Sequence, residues 1–498
     1  MTGFYSLVDG LVRSAERYPG RCALKDGAQS ITYEQLLERA TAFCRQLRAS
    51  GLQAGDRVAL VLPNGADFIA ACYGTWMAGG VSVWLNATAK ARDFAAWLGN
   101  CDAAFIVAEP SNAELTTALS ALTRAPLSLQ IGMAGLAAGG VQHAHAIVAD
   151  DPAVIMYTSG TTGRPKGVVL SHRNLAANTT AIVEYLRLTS EDSIVTVLPF
   201  YYSYGSSVLH THLWVGGCLI LEKNFLYPHA VIESLARERA TGFAGVPSTY
   251  ALLLSRVNLS TYDLSGIRYL TQAGGAMSPA LTQKLRETMP KASLFVMYGQ
   301  TEATARLTYL PPERLEQKLG SVGIPVPGVR IEIRAEDGAA LPAGAVGEVW
   351  VNGPNVMLGY WRNEAATAEI KRDGWLKTGD MGRLDDEGFL YLVGRRSDMI
   401  KSGAHRIYPQ DIEEAIAELP QVQEAAVVGV DDEVLGQAIR AFVVPAGNEP
   451  LTPMQVQAHC RARLANYKVP KSVEIVTSLP RTASGKVRRA ELLERIKQ

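Results

Sequence analysis

The chain has 498 residues, with 48 Lys+Arg against 48 Asp+Glu and a formal net charge of zero. That length allows roughly two to four domains and a large core, and the balanced charge argues against nucleic acid or an anionic membrane as partner. Cys22, Cys44, Cys72, Cys101, Cys218 and Cys460 are scattered without a C-x-x-C pair, as in a reduced cytosolic protein rather than a disulfide scaffold. No basic, apolar, small-residue leader opens the chain and no apolar run is long enough to span a bilayer, so the expectation is a soluble, cytoplasmic protein.

Residues 4–18 read as an amphipathic helix, residues 31–33 as a short strand, and Thr32 as the cap of a helix over 33–50 that Gly51 ends. A buried strand over 58–62 closes at Pro63-Asn64-Gly65; a helix over 67–77 stops at Gly79-Gly80; strands follow at 81–85 and 102–107. Strands separated by helices argue for a largely parallel α/β sheet covered on both faces. The Ala/Gly-rich stretch 132–149 reads as a loop.

Val154-Ile155-Met156-Tyr157 and Val168-Val169-Leu170 read as two strands of a hairpin. Its tip is Thr158-Ser159-Gly160-Thr161-Thr162-Gly163-Arg164-Pro165-Lys166-Gly167. Such a tip presents backbone N–H groups, hydroxyls and two cations to an anion, which points to a nucleoside triphosphate. It is not a Walker loop: Arg164 and Pro165 separate glycine from lysine, Gly167 replaces the Ser/Thr, and a strand follows where a helix is required.

The alternation continues to residue 320. A strand over 193–198 leads through Pro199-Phe200-Tyr201-Tyr202-Ser203-Tyr204-Gly205 into a helix ending near Val215; a strand follows at 218–221 and a helix at 228–240. The strand 243–248 runs into a turn, 267–272 ends at Ala273-Gly274-Gly275-Ala276, Ser278 caps a helix to about Met289, and 293–298 ends at Gly299-Gln300-Thr301-Glu302. In open α/β sheets ligands sit beyond the carboxyl ends of strands, so these two tips belong to one edge. Alternating segments at 329–333, 346–351 and 388–393 with Gly, Pro and Asp-Gly turns read as a small antiparallel subdomain over about 320–395. Residues 398–498 read as a compact α+β unit with helices at 409–418 and 453–464 and strands at 422–430 and 438–444.

The hairpin string resembles the phosphate loop of the adenylate-forming superfamily, which includes acyl- and aryl-CoA ligases, luciferases and nonribosomal adenylation domains. Four further strings match that family in its order. Tyr298-Gly299-Gln300-Thr301-Glu302 is similar to its second core motif, and Thr378-Gly379-Asp380 and Gly394-Arg395 to its ribose site. Pro480-Arg481-Thr482-Ala483-Ser484-Gly485-Lys486 is similar to its C-terminal lysine loop. The fold implied is mixed α/β. A large N-terminal domain of doubly covered sheets spans 1–396 with the β-rich subdomain, and a small mobile α+β C-terminal domain spans 397–498.

The resemblance implies ATP, Mg²⁺ and coenzyme A, or carrier-protein phosphopantetheine, as cofactors and co-substrates. It implies a small carboxylic acid as partner, leaves open an acyl or peptidyl carrier protein and a homodimer, and includes neither nucleic acid nor membrane. The nucleotide set it implies is Thr158, Ser159, Gly160, Thr161, Thr162, Gly163, Lys166, Gly274, Gly275, Ala276, Tyr298, Gly299, Gln300, Thr301, Asp380, Tyr391, Arg395 and Lys486. Glu302 holds the metal, a hard cation suited to carboxylate oxygen. Thr301, Glu302, Lys486 and, in the thiolation state, Lys401 are the catalytic set. The acyl pocket is Tyr202, Ser203, Gly205, Ser206, Val246, Pro247, Ser248, Ala273, Gly274, Tyr298 and Ile324.

Three departures stand out. The hinge position after Arg395 is Ser397, followed by Asp398, so either is the pivot. The thiol-acceptor loop reads Ser402-Gly403-Ala404-His405, with alanine where many relatives have a second glycine. Where amino-acid-activating relatives pair the α-ammonium with Asp, this chain has Ser203; a buried ammonium without a partner is costly, which disfavours an α-amino acid. Tyr202, Ser203, Tyr204 and Ser206 suit an aryl or modest acyl acid. A non-catalytic ATP-binding protein is disfavoured, because Thr301, Glu302, Asp380, Arg395 and Lys486 are all present.

Overall fold

The computed structural model describes residues 5–131, 146–158, 165–223, 225, 227–403, 405–447, 450–481 and 487–496. Most of the expected loop over 132–149, the hairpin tip over 159–164, Ala404 and Lys486 lie outside these residues.

Two large sheets form the bulk of the protein. The nine-stranded sheet runs in the order Ile324–Pro325, Thr308–Leu310, Ser293–Tyr298, Tyr269–Gln272, Gly242–Gly245, Ser193–Thr196, Cys218–Leu221, Cys22–Asp26, Gln29–Thr32. Its middle strands are parallel and its outer ones antiparallel. The seven-stranded sheet runs Gly359–Tyr360, Lys166–Ser171, Pro152–Thr158, Val81–Trp84, Arg57–Val61, Phe105–Ala108, Leu127–Leu129. The sheets are therefore not successive along the chain. The first two strands join the later sheet, and the 152–171 hairpin joins the earlier one.

The central strands are apolar on both faces because helices cover both. Helix Ala66–Met77 is buried nearly all round, whereas Leu7–Arg17 and Tyr33–Ala49 bury one stripe. Thr32 caps Tyr33–Ala49 as expected, in a reciprocal box with Gln35, which satisfies two end N–H groups at once. One sequence expectation is corrected here. Residues 246–248 do not form the end of a strand and a turn: Pro247 opens the helix Pro247–Arg256, where its fixed φ and missing N–H fit the first turn.

The third sheet contains Arg330–Arg334, Gly347–Asn352, Trp375–Leu384, Lys371–Arg372 and Leu390–Arg395. Thr378-Gly379-Asp380 thus lies within a ten-residue strand. The fourth sheet, from Ile400–Ser402 to Ser472–Ile475, has its own apolar cluster around Ile400, Ile412, Val427 and Val443. All six cysteines are free. Among the described residues no helix is long and apolar enough to cross a membrane.

Helix Ser203–Val215 carries two buried histidines. His212 Nδ1 donates to Val208 O at 2.8 Å and Nε2 accepts from the Tyr269 hydroxyl at 2.7 Å, the pattern of a neutral ring. Burial pushes His212 down to about 4 and His210 down to about 3. The unfolded chain takes up these protons near pH 6.5 and the folded one does not, so the unfolded state binds more protons as pH falls. Stability should therefore drop from about pH 6 to about pH 4, each histidine adding a slope of up to about 1.4 kcal/mol per pH unit. Urea unfolding midpoints across that range check this, and a flat midpoint would contradict it.

Candidate active site

The site begins at a sheet edge. Strands Gly242–Gly245, Tyr269–Gln272 and Ser293–Tyr298 are adjacent and parallel. Their carboxyl ends therefore bring residues 246–248, 273–276 and 298–302 side by side. A Cβ on Gly274 would stand 3.3 Å from Val246 Cγ1, and one on Gly275 3.4 Å from Pro247 Cγ. From the neighbouring strand the chain enters helix Ser203–Val215, and the Thr301 hydroxyl donates to Ser203 Oγ at 3.3 Å. Gly205 is required by packing: a Cβ there would lie 2.1 Å from Pro199 O. Tyr202 packs against Tyr201, with ring centres 4.5 Å apart. Ser206 is buried.

Tyr298 closes the edge against the third sheet. Its hydroxyl donates to Asp380 Oδ2 at 2.6 Å, and Arg395 Nε stands 3.2 Å from Asp380 Oδ1. Asp380 and Arg395 face each other across adjacent antiparallel strands. Asp380 is buried, and its N–H donates to Thr378 Oγ1 at 3.1 Å. Burial, reinforced by the Asp380 charge, pushes the Tyr298 hydroxyl well up, so it remains a donor. A carboxylate has about four lone-pair sites, so these contacts leave acceptor capacity at Asp380.

The turn after Tyr298 is held in an unusual shape. Thr304 has φ 67° and ψ −63°, and Ala305 N donates to Ala303 O at 2.8 Å. This is a γ-turn of the rare positive-φ kind, strained for a β-branched residue. Thr304 Oγ1 donates to Asn355 O at 2.7 Å, and Asn355 Nδ2 donates to Ala303 O at 3.1 Å and Arg306 O at 2.9 Å. Gly299 allows the fold-back, since a Cβ there would stand 1.7 Å from Ala305 O.

Glu302 projects from this turn. Its Oε1 accepts from the Tyr360 hydroxyl at 2.9 Å, and its backbone O accepts from Met357 N at 2.9 Å. Tyr360 pairs with Val168 on the hairpin's return strand, and Lys166 Nζ lies 5.0 Å from the Tyr360 ring centre. Thr158 faces Lys166 across the hairpin. Among the described residues nothing pairs with the other Glu302 oxygen, so a carboxylate oxygen beside the phosphate hairpin remains for Mg²⁺, which takes one or two carboxylates plus phosphate oxygens.

The remaining expected residues lie elsewhere. Ile324 and Tyr391 pack at the margin of the apolar cluster around Phe389 and Leu310, a different cluster from the one holding Tyr204 and Met297. Lys401, exposed, and Ser402 and Gly403 sit on a hairpin of the C-terminal sheet, where His405 stacks on Tyr467 at 3.9 Å beside a cavity of about 400 Å³. Among the described residues no hydrogen bond or ion pair joins this hairpin to residues 298–302. Ser397 Oγ donates to Asp398 Oδ1 at 3.0 Å, and Asp398 Oδ2 pairs with Arg489 at 3.2 Å. Arg488, two residues beyond Lys486, is near enough to Tyr202 for its charge to oppose the upward push of burial on that hydroxyl.

Tyr360, Asn355 and Thr304 were not singled out from sequence. Tyr360 sits in a two-residue edge strand and Asn355 in a loop, and nothing local marks either one.

The AMP-binding enzyme family matches residues 11–361, and the AMP-binding enzyme C-terminal domain matches residues 411–486. The chain belongs to the AMP-binding enzyme family. It is 36% identical to a feruloyl-CoA synthase of an Amycolatopsis species, over 97% of this chain and 98% of that protein. It is similar at 31% identity to the Bacillus subtilis o-succinylbenzoate CoA synthetase in complex with its acyl-adenylate intermediate. That match has a TM-score of 0.87 and covers 98% of both chains. The same enzyme with ATP and magnesium ion gives a TM-score of 0.86 at 31% identity, covering 98% of this chain and 99% of that one.

Tyr360→Phe removes the hydroxyl that orients Glu302. Loss of such an outer contact typically costs about 10–100-fold in metal affinity or activity. The Mg²⁺ concentration for half-maximal activity should rise roughly tenfold with the unfolding midpoint unchanged. An unaltered Mg²⁺ dependence would show the contact to be incidental.

Proposed function

We propose that this chain activates an aryl or short-to-medium acyl carboxylic acid as its acyl-adenylate and then transfers the acyl group to the thiol of coenzyme A. ATP-dependent, AMP-forming acid–thiol ligation is its reaction class. The observation that carries the residue assignment is the cluster of Tyr298, Asp380 and Arg395 at the edge where three parallel strands end. Asp380 accepts from the ribose hydroxyls, with Arg395 holding its orientation. Tyr298 and the 274–276 loop flank the adenine. The 158–166 hairpin cradles the distal phosphates.

The acid's carboxylate attacks the α-phosphorus and pyrophosphate leaves, so no covalent enzyme nucleophile is needed. Thr301 and Lys486 supply preorganised positive potential to the oxygens where charge develops, and the strained turn keeps Thr301 and Glu302 in register. Glu302 would hold Mg²⁺, which when bound would neutralise phosphate charge. Rotation of residues 398–498 about Ser397 and Asp398 then exchanges Lys486 for the Lys401–His405 hairpin, a hinge transition. Asp398 is tied to Arg489, which favours Ser397 as the pivot. Relatives named for feruloyl-CoA and 2-succinylbenzoate–CoA formation support a CoA acceptor and an acid with an aromatic part.

Lys486→Ala should lower pyrophosphate exchange by about 10²–10³ while leaving thioester formation from supplied acyl-adenylate intact. Equal loss in both half-reactions would remove Lys486 from the adenylation step. Thioester should form with free coenzyme A and not with a holo-carrier protein; the reverse would reassign the acceptor.

A further inference from the structure

Two cysteines meet at the amino-terminal ends of neighbouring strands. Cys22 opens the strand Cys22–Asp26 and Cys218 opens Cys218–Leu221. The strands pair in parallel with Leu24 opposite Leu219, a register that puts Ala23 beside Cys218. In a regular strand successive side chains point to opposite faces, so Cys22 would turn away from Cys218. The register shift between Cys22 and Leu24 re-aims it. The Cys218 thiol donates to Cys22 Sγ at 3.5 Å, across 196 positions of chain.

This pair differs from the other four cysteines. Cys44, Cys72, Cys101 and Cys460 are buried, and burial pushes their thiols up, Cys101 to about 12 and Cys460 to about 11. Cys22 and Cys218 are both partly exposed. The bond from Cys218 holds the Cys22 thiol below its usual range, helped by the Ser30 hydroxyl at 3.1 Å and the Lys25 charge and opposed by burial. The same bond, with burial and the Glu238 charge, holds the Cys218 thiol above it. Lys25 is itself paired with Glu238 at 2.5 Å. The thiolate, not the thiol, is the nucleophile. Cys22 is therefore the sulfur that attacks first, and Cys218 the one placed to resolve the product.

The backbone spacing suits a covalent bond. Neighbouring strands lie about 4.8 Å apart and rise about 3.3 Å per residue, so Cα atoms one residue out of register stand about 6 Å apart. Disulfides span Cα separations of about 4.4–6.8 Å. The strands Cys22–Asp26, Cys218–Leu221, Ser193–Thr196, Gly242–Gly245, Tyr269–Gln272 and Ser293–Tyr298 all run parallel. The two thiols, at amino ends, are thus at the opposite end of the sheet from residues 246–248, 273–276 and 298–302. They are separate from the activating edge and do not depend on the ligase reading.

We propose that Cys22 and Cys218 form a redox-modification site, which a peroxide converts to a reversible disulfide that staples the Cys22–Thr32 edge of the nine-stranded sheet to its neighbour. The Cys22 thiolate attacks one peroxide oxygen; the O–O bond breaks, the other oxygen leaves as hydroxide, and Cys22 becomes a sulfenic acid. The Cys218 sulfur then attacks the Cys22 sulfur. The S–S bond forms, the S–O bond breaks, and the departing hydroxide takes the Cys218 proton as water. Two thiols are oxidised and one peroxide is reduced to water. A dithiol reverses the modification by exchange, becoming a disulfide itself. Because the bond closes so long a loop, it restrains the unfolded chain and stabilises the folded one.

Peptide mapping of the full chain tests it. The reduced protein is exposed to a small excess of hydrogen peroxide, remaining thiols are blocked with N-ethylmaleimide, and the protein is digested without reductant. A peptide pair cross-linked through Cys22 and Cys218 should appear, and should vanish after dithiothreitol. In Cys218→Ser, dimedone should trap Cys22 as the sulfenic acid; in Cys22→Ser, it should leave Cys218 unlabelled. Oxidation should shift the urea unfolding midpoint of the wild type upward and leave that of Cys22→Ser in place. Absence of the cross-linked pair from the wild type overturns the inference whatever the variants do. So does cross-linking of Cys22 or Cys218 to other cysteines instead, dimedone labelling of Cys218 in Cys22→Ser, or a wild-type midpoint that oxidation leaves unchanged or lowers.

Discussion

A single buried carboxylate joins the parts of this protein that meet a nucleotide. Asp380 belongs to the small antiparallel sheet, Tyr298 to the nine-stranded sheet, and Arg395 to the strand that leads toward the C-terminal unit. Taking a carboxylate out of water is unfavourable unless hydrogen bonds and an opposite charge compensate. Here a tyrosine from one sheet and an arginine from the facing strand do so. The requirement to satisfy Asp380 thus fixes how the two sheets meet. The same carboxylate is the group proposed above for the ribose, so on that reading the joint between sheets and the nucleotide site are one structure.

A second constraint runs from Asn355 to the turn after Tyr298. Residues 299–306 fold back so tightly that Gly299 packs on Ala305 and Thr304 takes a conformation that β-branched residues avoid. Strain of this kind persists only where surrounding bonds over-determine it. Asn355 and Asn178 provide them, from the loop before Gly359–Tyr360 and from helix His172–Leu186. The result is a turn whose outer face carries Thr301 and Glu302 and whose inner end buries Arg306.

Much of this was legible in the sequence, for physical reasons. The hairpin over 152–171 combines an apolar run with a Gly-rich, hydroxyl-rich tip. Thr32 announces its helix through a side chain that caps it. Tyr298 to Glu302 ends a strand of unbroken apolar residues. The partition of strands between the two large sheets was not legible, because buried parallel strands look alike and their pairing is decided by crossovers far apart in the chain. The strand around Asp380 carried no strand signal, because Gly379 and Gly382 interrupt it and its burial does not alternate. The segment 243–248 read as a strand running into a turn, whereas Pro247 opens a helix. Arg306 is a lone cation in an otherwise apolar and hydroxylic stretch, and only the packing of Tyr204 and Met297 against it shows that it points inward.

Hydrogen–deuterium exchange with and without ATP and Mg²⁺ tests the joint most directly. The backbone of residues 298–306 and of both strands flanking Asp380, Trp375–Leu384 and Leu390–Arg395, should gain protection together on nucleotide addition, and Asp380→Asn should diminish it in all three. Protection confined to one of these segments, or falling outside them, would contradict the account.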